Sequence, residues 1–208
     1  MNIFRRPFQY RYHNIVFFLI GLNVLLFIFQ RISPQLTYYM ALNPIAVYGG
    51  WVWQFFTYMF AHGGISHLLF NMLALFIFGT QVERQMGSRE FLLYYLLTGA
   101  LAGGFSFLVY WITGAYGVFL LGASGAIFAV QLAYATFSPN AVVYIWGILP
   151  LRAPVMVLGF TILELLSSVV GLRSGVAHLT HLAGFAFGWL YFLIRFGMNP
   201  WNSLISRR

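Results

Sequence analysis

Long apolar runs alternate with short polar breaks along almost the whole chain. Six runs approach the length of about 20 residues that a helix needs to cross a bilayer. They are residues 14–30, 62–81, 90–111, 119–137, 154–170 and 177–196, each bounded by charge, Pro or Gly. The pattern predicts an all-α polytopic membrane protein, a bundle of six transmembrane helices in a single domain. A short N-terminal arm, 1–13, precedes a core of about 14–197 and a short basic tail, 198–208. Internal repeats, low-complexity tracts and linkers are absent from the sequence.

Within the third run, Gly99, Gly103 and Gly104 join Ala100 and Ala102 in a small-residue face that lets helices approach closely. The first run follows Arg5, Arg6 and Arg11, as the core of a signal peptide would. Gln30-Arg31-Ile32-Ser33-Pro34 offers no small-x-small cleavage site, so the run reads as an uncleaved anchor. Residues 31–61, between the first two runs, exceed the length of about 12–15 residues beyond which loops are usually functional or disordered. Tyr38, Tyr39, Tyr48, Trp51, Trp53, Phe55, Phe56 and Tyr58 argue against disorder, while Pro34, Pro44, Gly49 and Gly50 interrupt any spanning helix. This stretch reads as a structured loop partly immersed in the outer membrane interface.

Composition strengthens the membrane reading. The chain is 61% hydrophobic and 7% charged, where a soluble domain carries about 25% charged residues. With no Cys, disulfides, thiolate metal sites and a cysteine nucleophile are excluded. Arginine supplies every basic residue, and against three Glu the net charge is +8. Such basicity raises nucleic-acid binding, but the arginines are scattered between apolar runs rather than gathered on a face, so nucleic acid is not an expected partner. Their placement fits topology instead. With the N-terminus inside, the cytoplasmic pieces hold Arg5, Arg6, Arg11, Arg84, Arg89, Arg152, Arg195, Arg207 and Arg208, and the outer loops only Arg31 and Arg173. The positive-inside rule then puts both termini in the cytoplasm.

On that orientation, runs two, four and six enter from outside. His67, Ser124 and His181 each fall about four or five residues past a run's start, roughly 6–8 Å below the outer boundary at 1.5 Å per residue. Asn71 lies one turn deeper than His67 on the same face. A hydroxyl, an imidazole and two further hydrogen-bond donors, three of the four groups at one depth, are the components of acyl-transfer chemistry.

Each component also has a plainer reading. Gly122-Ala123-Ser124-Gly125 alone is more often a close helix crossing than a nucleophile, and it does not match the elbow of soluble hydrolases. Its glycines nevertheless let a substrate backbone approach the hydroxyl, and near a helix start the Ser124 N–H is free to face an oxyanion. A histidine in a spanning run is functional by default, though it can simply bond another helix. Gly184-Phe185-Ala186-Phe187-Gly188 can press the sixth run against a neighbour; if that neighbour is the fourth, His181 lies beside Ser124. His178, one turn earlier, reads as a boundary or hydrogen-bonding residue. His62, His67 and Asn71 suit an oxyanion site. A metal site on His62 and His67 is the rival, without a convincing third ligand or a nearby carboxylate in the sequence.

Taken in order, His62-x-x-x-x-His67-x-x-x-Asn71, Gly122-x-Ser124-Gly125 and His181-x-x-Gly184-x-x-x-Gly188 resemble the rhomboid family of intramembrane serine proteases. The likeness covers about residues 53–188, and the loop at 31–61 resembles the family's membrane-embedded first loop. Glu83-Arg84 resembles the charged pair where the second helix leaves the membrane, a structural tie. Two positions depart from the family pattern. Gln54 stands after Trp53 where Arg is often found, which puts the loop's anchoring in doubt. Phe128 stands where Tyr is often found, keeping a ring that can stack on His181 but losing a hydroxyl.

The resemblance implies a dyad in which Ser124 is the nucleophile and His181 the general base, with the Ser124 N–H, His67 and Asn71 holding the oxyanion. His62, Gly122, Gly125, Phe128, Gly184 and Gly188 would support the site. It implies no metal or other cofactor, and substrates that are single-span membrane proteins cut near the outer face. Entry would lie between the second and fifth helices, with residues 167–176 as moving parts, in an inner (plasma) membrane of a prokaryote. Glu164, the one acid inside an apolar run, is expected to be structural or water-facing rather than a third member. Two other classes stand beside this reading: an inactive rhomboid-like protein that binds membrane clients, and a small transporter. Both Ser124 and His181 are present, against the first; no repeat or acidic pathway supports the second.

Overall fold

The computed structural model describes residues 5, 7–145, 147–169 and 175–205. Helix α1 (Ile15–Ile32) leads into a loop region containing α2 (Pro34–Met40), α3 (Pro44–Tyr48), α4 (Gln54–Thr57) and a 3₁₀ turn at Tyr58–Phe60. Then come α5 (Ile65–Met86), with a π-helical turn at Leu75–Gly79, α6 (Ser88–Ile112) and α7 (Ser124–Phe137). A hairpin of β1 (Val142–Ile145) and β2 (Leu149–Arg152) precedes α8 (Ala153–Val169) and α9 (Gly175–Tyr191), which ends in a π-helical turn at Phe192–Phe196. A short α10 (Pro200–Ile205) follows. Residues 170–174, within the expected gate and including Arg173, lie outside the described residues, as do Arg6, Arg207 and Arg208 of the charge-bias argument.

Apolar helices lie at all six expected runs, but not all are long. Ile15–Ile32, Ile65–Met86, Ser88–Ile112 and His178–Phe196 are long and apolar enough to cross a membrane, whereas Ser124–Phe137 and Ala153–Ser168 are shorter. The fourth run differs most from expectation. Its first residues are apolar but not helical: Leu120 pairs in extended conformation with Leu42, and the helix begins at Ser124 itself. Ser124 is therefore not one turn inside a helix that enters the membrane; an extended lead-in carries it there. The hairpin is a second departure from an all-α expectation. Val142, Val143, Tyr144 and Ile145 favour a strand, and Gly147, at φ +71°, supplies the left-handed residue that closes a three-residue hairpin loop.

The core is built around α7, where Gly125, Ala126, Ile127, Ala129, Val130, Leu132, Ala133 and Ala135 are all buried. Such small side chains let α6, α8 and α9 close in from three sides. The outward faces of α1, α5 and α6 expose Phe18, Leu25, Ile28, Leu69, Leu73, Leu101 and Leu108, an apolar surface suited to lipid rather than water. The glycine face of α6 has an unexpected partner. A Cβ at Gly99 would strike Met59 Sδ and lie 3.1 Å from the Ala126 Cβ of α7, and one at Gly103 would sit 2.6 Å from the Tyr58 ring, so α6 packs on the first loop as well as on α7; a Cβ at Gly104 would meet no neighbouring atom within 4 Å.

Buried carboxylates fasten the end of the bundle remote from Ser124. The first N–H groups of α1 have no intrahelical partner. Those of Ile15 and Val16 donate to Glu83 of α5 at 2.7 and 3.1 Å, and the Ser88 hydroxyl donates to the same carboxylate. Negative charge at a helix N-terminus also complements its dipole. Glu83 is thus a structural tie, but to backbone N–H groups. Glu90, fully buried, accepts from Arg195 Nε and Nη2 at 2.7 and 3.0 Å, from the Phe8 N–H at 2.9 Å and from the Tyr191 hydroxyl.

The first loop is ordered by its own polar centre. Gln54 is fully buried; its Oε1 accepts the Asn43 N–H at 3.0 Å and its Nε2 donates to the carbonyls of Tyr38 and Tyr39 at 3.2 and 3.3 Å. Anchoring therefore survives without an Arg at this position. Asn43 caps α3 by accepting from the Ala46 N–H, and Pro34 and Pro44 open α2 and α3, where a missing N–H costs nothing. Tyr39, Trp51 and Trp53 stack in sequence at 5.0 and 5.4 Å and leave an exposed aromatic rim, the residue type enriched at membrane interfaces.

Candidate active site

Ser124 opens α7 two residues after Gly122, whose φ of +120° suits glycine alone. A Cβ at Gly122 would also lie 2.7 Å from Cε1 and Nε2 of His67 and 3.7 Å from Asn71 Nδ2. The missing side chain lets the backbone before Ser124 run against both expected oxyanion donors. That backbone is held from the other side by the first loop: Leu120 and Leu42 exchange N–H···O bonds at 2.8 and 2.9 Å, and the Gly122 N–H donates to the Tyr58 carbonyl at 2.9 Å. The Tyr58 hydroxyl donates to the Gly99 carbonyl at 2.6 Å, which locks the loop to α6. The first loop is thus a scaffold for the residues leading to Ser124.

His181 reaches Ser124 from α9, its Nε2 2.7 Å from the Ser124 Oγ. Two features bring the helices this close. A Cβ at Gly184 would overlap the Gly125 carbonyl oxygen, and one at Gly188 would lie 3.1 Å from the Ala129 Cβ and 2.6 Å from the Tyr94 hydroxyl. Gly184 and Gly188 therefore let α9 lie directly on the backbone of α7. Gly125 in turn fits among Ala102, Thr180 and Tyr58, each 3.3–3.4 Å from where its Cβ would be. Phe128 stacks on the His181 imidazole at a centroid distance of 4.4 Å and an interplanar angle of 6°, and packs against Phe160 and Phe185. The ring needs no hydroxyl to do this.

Asn71 is buried, and its Nδ2 has no hydrogen-bond partner within the protein. A buried amide donor without an acceptor is costly, about 1–3 kcal/mol, and its partner can be a ligand, a transition state or a water. His67 is half-buried beside it. His62 is buried, its ring nitrogens unpartnered within the protein, and its ring packs edge-on to His67 at 5.2 Å. The His62 backbone N–H donates to Gln30 Oε1 at 3.1 Å, fastening the entrance of α5 to α1.

Glu164, expected to be structural or water-facing, turns toward two histidines: its side chain is 15% exposed, with Oε1 3.0 Å from His181 Nδ1 and Oε2 2.5 Å from His178 Nδ1. The carboxylate thus meets the imidazole nitrogen opposite the one that meets Ser124. Glu164, His178 and His181 also form a set of potential metal ligands, with donor atoms within 4.8 Å of one another. This is the three-ligand set that His62 and His67 lacked. The sequence offers one hint of this set, two histidines three apart on one helix face and a single acid in the preceding apolar run, but not that the acid and the histidines meet.

A family model described as Rhomboid domain matches residues 49–198. Among known proteins, the chain is 37% identical over 135 residues to the rhomboid protease GluP of Bacillus subtilis, covering 60% of this chain and 26% of GluP. It is 34% identical over 151 residues to RHOMBOID-like protein 12, mitochondrial, of Arabidopsis thaliana, covering 64% of this chain and 44% of that protein. To the rhomboid protease AarA of Providencia stuartii it is 26% identical over 196 residues, covering 83% of this chain and 69% of AarA. The chain thus spans about a quarter of GluP and under half of the Arabidopsis protein.

Proposed function

Because the chain belongs to the rhomboid family, we propose that it is an intramembrane serine endopeptidase using Ser124 as nucleophile and His181 as general base. The observation that carries this reading is the 2.7 Å contact between Ser124 Oγ and His181 Nε2 at the start of α7. Such a distance is within the reach that proton transfer requires. In the first step the Ser124 proton passes to His181 Nε2 as Oγ bonds to the substrate carbonyl carbon. The carbonyl oxygen becomes an oxyanion facing the Ser124 N–H, His67 and Asn71. Collapse of that intermediate breaks the C–N bond, and His181 returns the proton to the leaving amine. Water then attacks the acyl-enzyme with the same proton traffic in reverse order, releasing the acid and regenerating Ser124.

The unpartnered Asn71 amide supports the oxyanion role, since preorganised neutral donors stabilise charge that develops only in the transition state. The substrate class is single-span membrane proteins, cut in the outer part of the bilayer with both termini of this chain in the cytoplasm. A peptide bond within a helix is shielded, so Gly or Pro in the substrate segment favours cleavage by easing local unwinding. Substrates enter between α5 and α8. The direct test is covalent labelling. A fluorophosphonate should modify Ser124 in the folded wild-type protein, and labelling should fall sharply in His181→Ala. Equal labelling of wild type and His181→Ala would contradict the base assignment.

A further inference from the structure

His181 is engaged at both ring nitrogens by different helices. Nε2 meets Ser124 Oγ of α7 at 2.7 Å, and Nδ1 meets Glu164 Oε1 of α8 at 3.0 Å. We propose that Glu164 is a positioning residue that completes a Ser124–His181–Glu164 relay, a reading that rests on the dyad proposed above. An ionised carboxylate can only accept hydrogen bonds. Beside it, a neutral His181 must carry its proton on Nδ1, which leaves the Nε2 lone pair facing the serine hydroxyl. The other neutral tautomer would aim an N–H at Ser124 and could not take its proton.

Three further contacts make this arrangement specific. The second Glu164 oxygen meets His178 Nδ1 at 2.5 Å, so the carboxylate is held at both oxygens and cannot turn away from His181. Phe128 covers one face of the imidazole at 4.4 Å and fixes the plane in which both nitrogens point. The Glu164 side chain is 15% exposed, so solvent screens the pair only in part.

The proton balance is simple. The Ser124 proton moves to Nε2, the Nδ1 proton stays in place, and Glu164 remains ionised beside the imidazolium that forms. Nε2 then delivers its proton to the leaving amine. Among the described residues, the titratable groups around His181 are Ser124 on α7, Glu164 on α8, His178 on its own helix and His67 on α5, which lies within electrostatic reach. Because Glu164 alone comes from α8, a shift of α8 away from α9 would leave the dyad together while removing the carboxylate.

The test uses the full chain in detergent with a fluorescent single-span substrate peptide containing a Gly-Pro break, comparing wild type, Glu164→Gln and Glu164→Asp. In triads of this form, replacing the acid by its amide lowers kcat by about 10⁴; with Phe128 still holding the ring, at least a tenfold loss is expected here. KM should stay within about twofold, since the relay acts on the chemical step. Losing the carboxylate removes stabilisation of the imidazolium, so the acidic limb of the kcat/KM profile should move to lower pH in Glu164→Gln. Glu164→Asp keeps the charge and should recover part of the rate.

A merely structural brace would lower the rate without moving that limb, and this result, like wild-type kcat in Glu164→Gln, would overturn the proposal. Nitrogen NMR of ¹⁵N-histidine wild-type protein, with His181 assigned by His181→Gln, tests it without an acid variant that must fold. Protonation at Nδ1 is expected, and protonation at Nε2 would refute it. Loss of activity on adding a chelator, restored by zinc, would instead assign Glu164, His178 and His181 to a metal and overturn the relay. Failure of the underlying dyad looks different: the wild type itself would neither cut the peptide nor take up a fluorophosphonate at Ser124.

Discussion

Gly184→Ala tests how closely the site depends on backbone contact between α7 and α9. The added Cβ would overlap the Gly125 carbonyl oxygen and lie 2.9 Å from its carbonyl carbon. Those atoms are backbone and cannot rotate aside, so α9 has to move outward by roughly 1 Å to restore ordinary contact, at a cost of about 1–3 kcal/mol. His181 is one turn from Gly184 and moves with it, stretching the 2.7 Å contact to Ser124 beyond hydrogen-bond range. A misplacement of about 1 Å costs on the order of 10²-fold in rate. Cleavage of a single-span substrate in detergent should fall by about that factor, with a lower thermal unfolding midpoint by circular dichroism. Gly104→Ala is the control. It lies on α6 with no atom within 4 Å of where its Cβ would be, and should keep its rate while gaining up to about 0.5–1 kcal/mol of helix stability. Wild-type rate and midpoint in Gly184→Ala would refute the claim that this glycine sets the distance between the helices.

Asn71→Ala should lower kcat by about 10²–10³, or roughly 2.7–4 kcal/mol, the usual loss for one oxyanion donor; a change confined to KM would make Asn71 a substrate-binding residue. Gln54→Ala leaves the buried Asn43 N–H without its acceptor and frees two carbonyls, so denaturant unfolding should show a loss of about 1–3 kcal/mol, and unchanged stability would refute its anchoring role. Single cysteines in this Cys-free chain should report topology through an impermeant maleimide: Thr113 or Tyr116 should label in intact cells, the exposed Gln85 position or Ser206 only after lysis. The opposite pattern would put the Ser124 end of α7 toward the cytoplasm.

Apolar length and charge are enough to find the long apolar helices, because burial in lipid demands long uncharged runs. Hydropathy does not distinguish helix from extended chain, which is why residues 119–123 read as helix although Leu120 pairs with Leu42. For the same reason the hairpin from Val142 to Arg152 is hidden in the apolar pattern, although its β-branched residues and Gly147 carry the signal. Gly184 and Gly188 announce a close helix crossing but leave its partner open in the sequence; in the structure the partner is α7, which brings His181 to Ser124. Contacts made across the fold are not legible. In the sequence Gln54 is only a departure from a family pattern, whereas its role follows from the carbonyls of Tyr38 and Tyr39 that surround it. Glu164 lies 17 residues before His181 on another helix, and only the packing of α8 on α9 brings its carboxylate to the imidazole.

The central claim is that Ser124 attacks a peptide bond within the membrane. The most direct measurement reconstitutes wild type and Ser124→Ala in liposomes with a fluorescent single-span substrate and identifies the products by mass spectrometry. Wild type should yield two fragments cut in or near the outer part of the spanning segment, and Ser124→Ala, equally folded, should yield none. Cleavage by Ser124→Ala at the wild-type rate, or an intact substrate with both proteins, would contradict it.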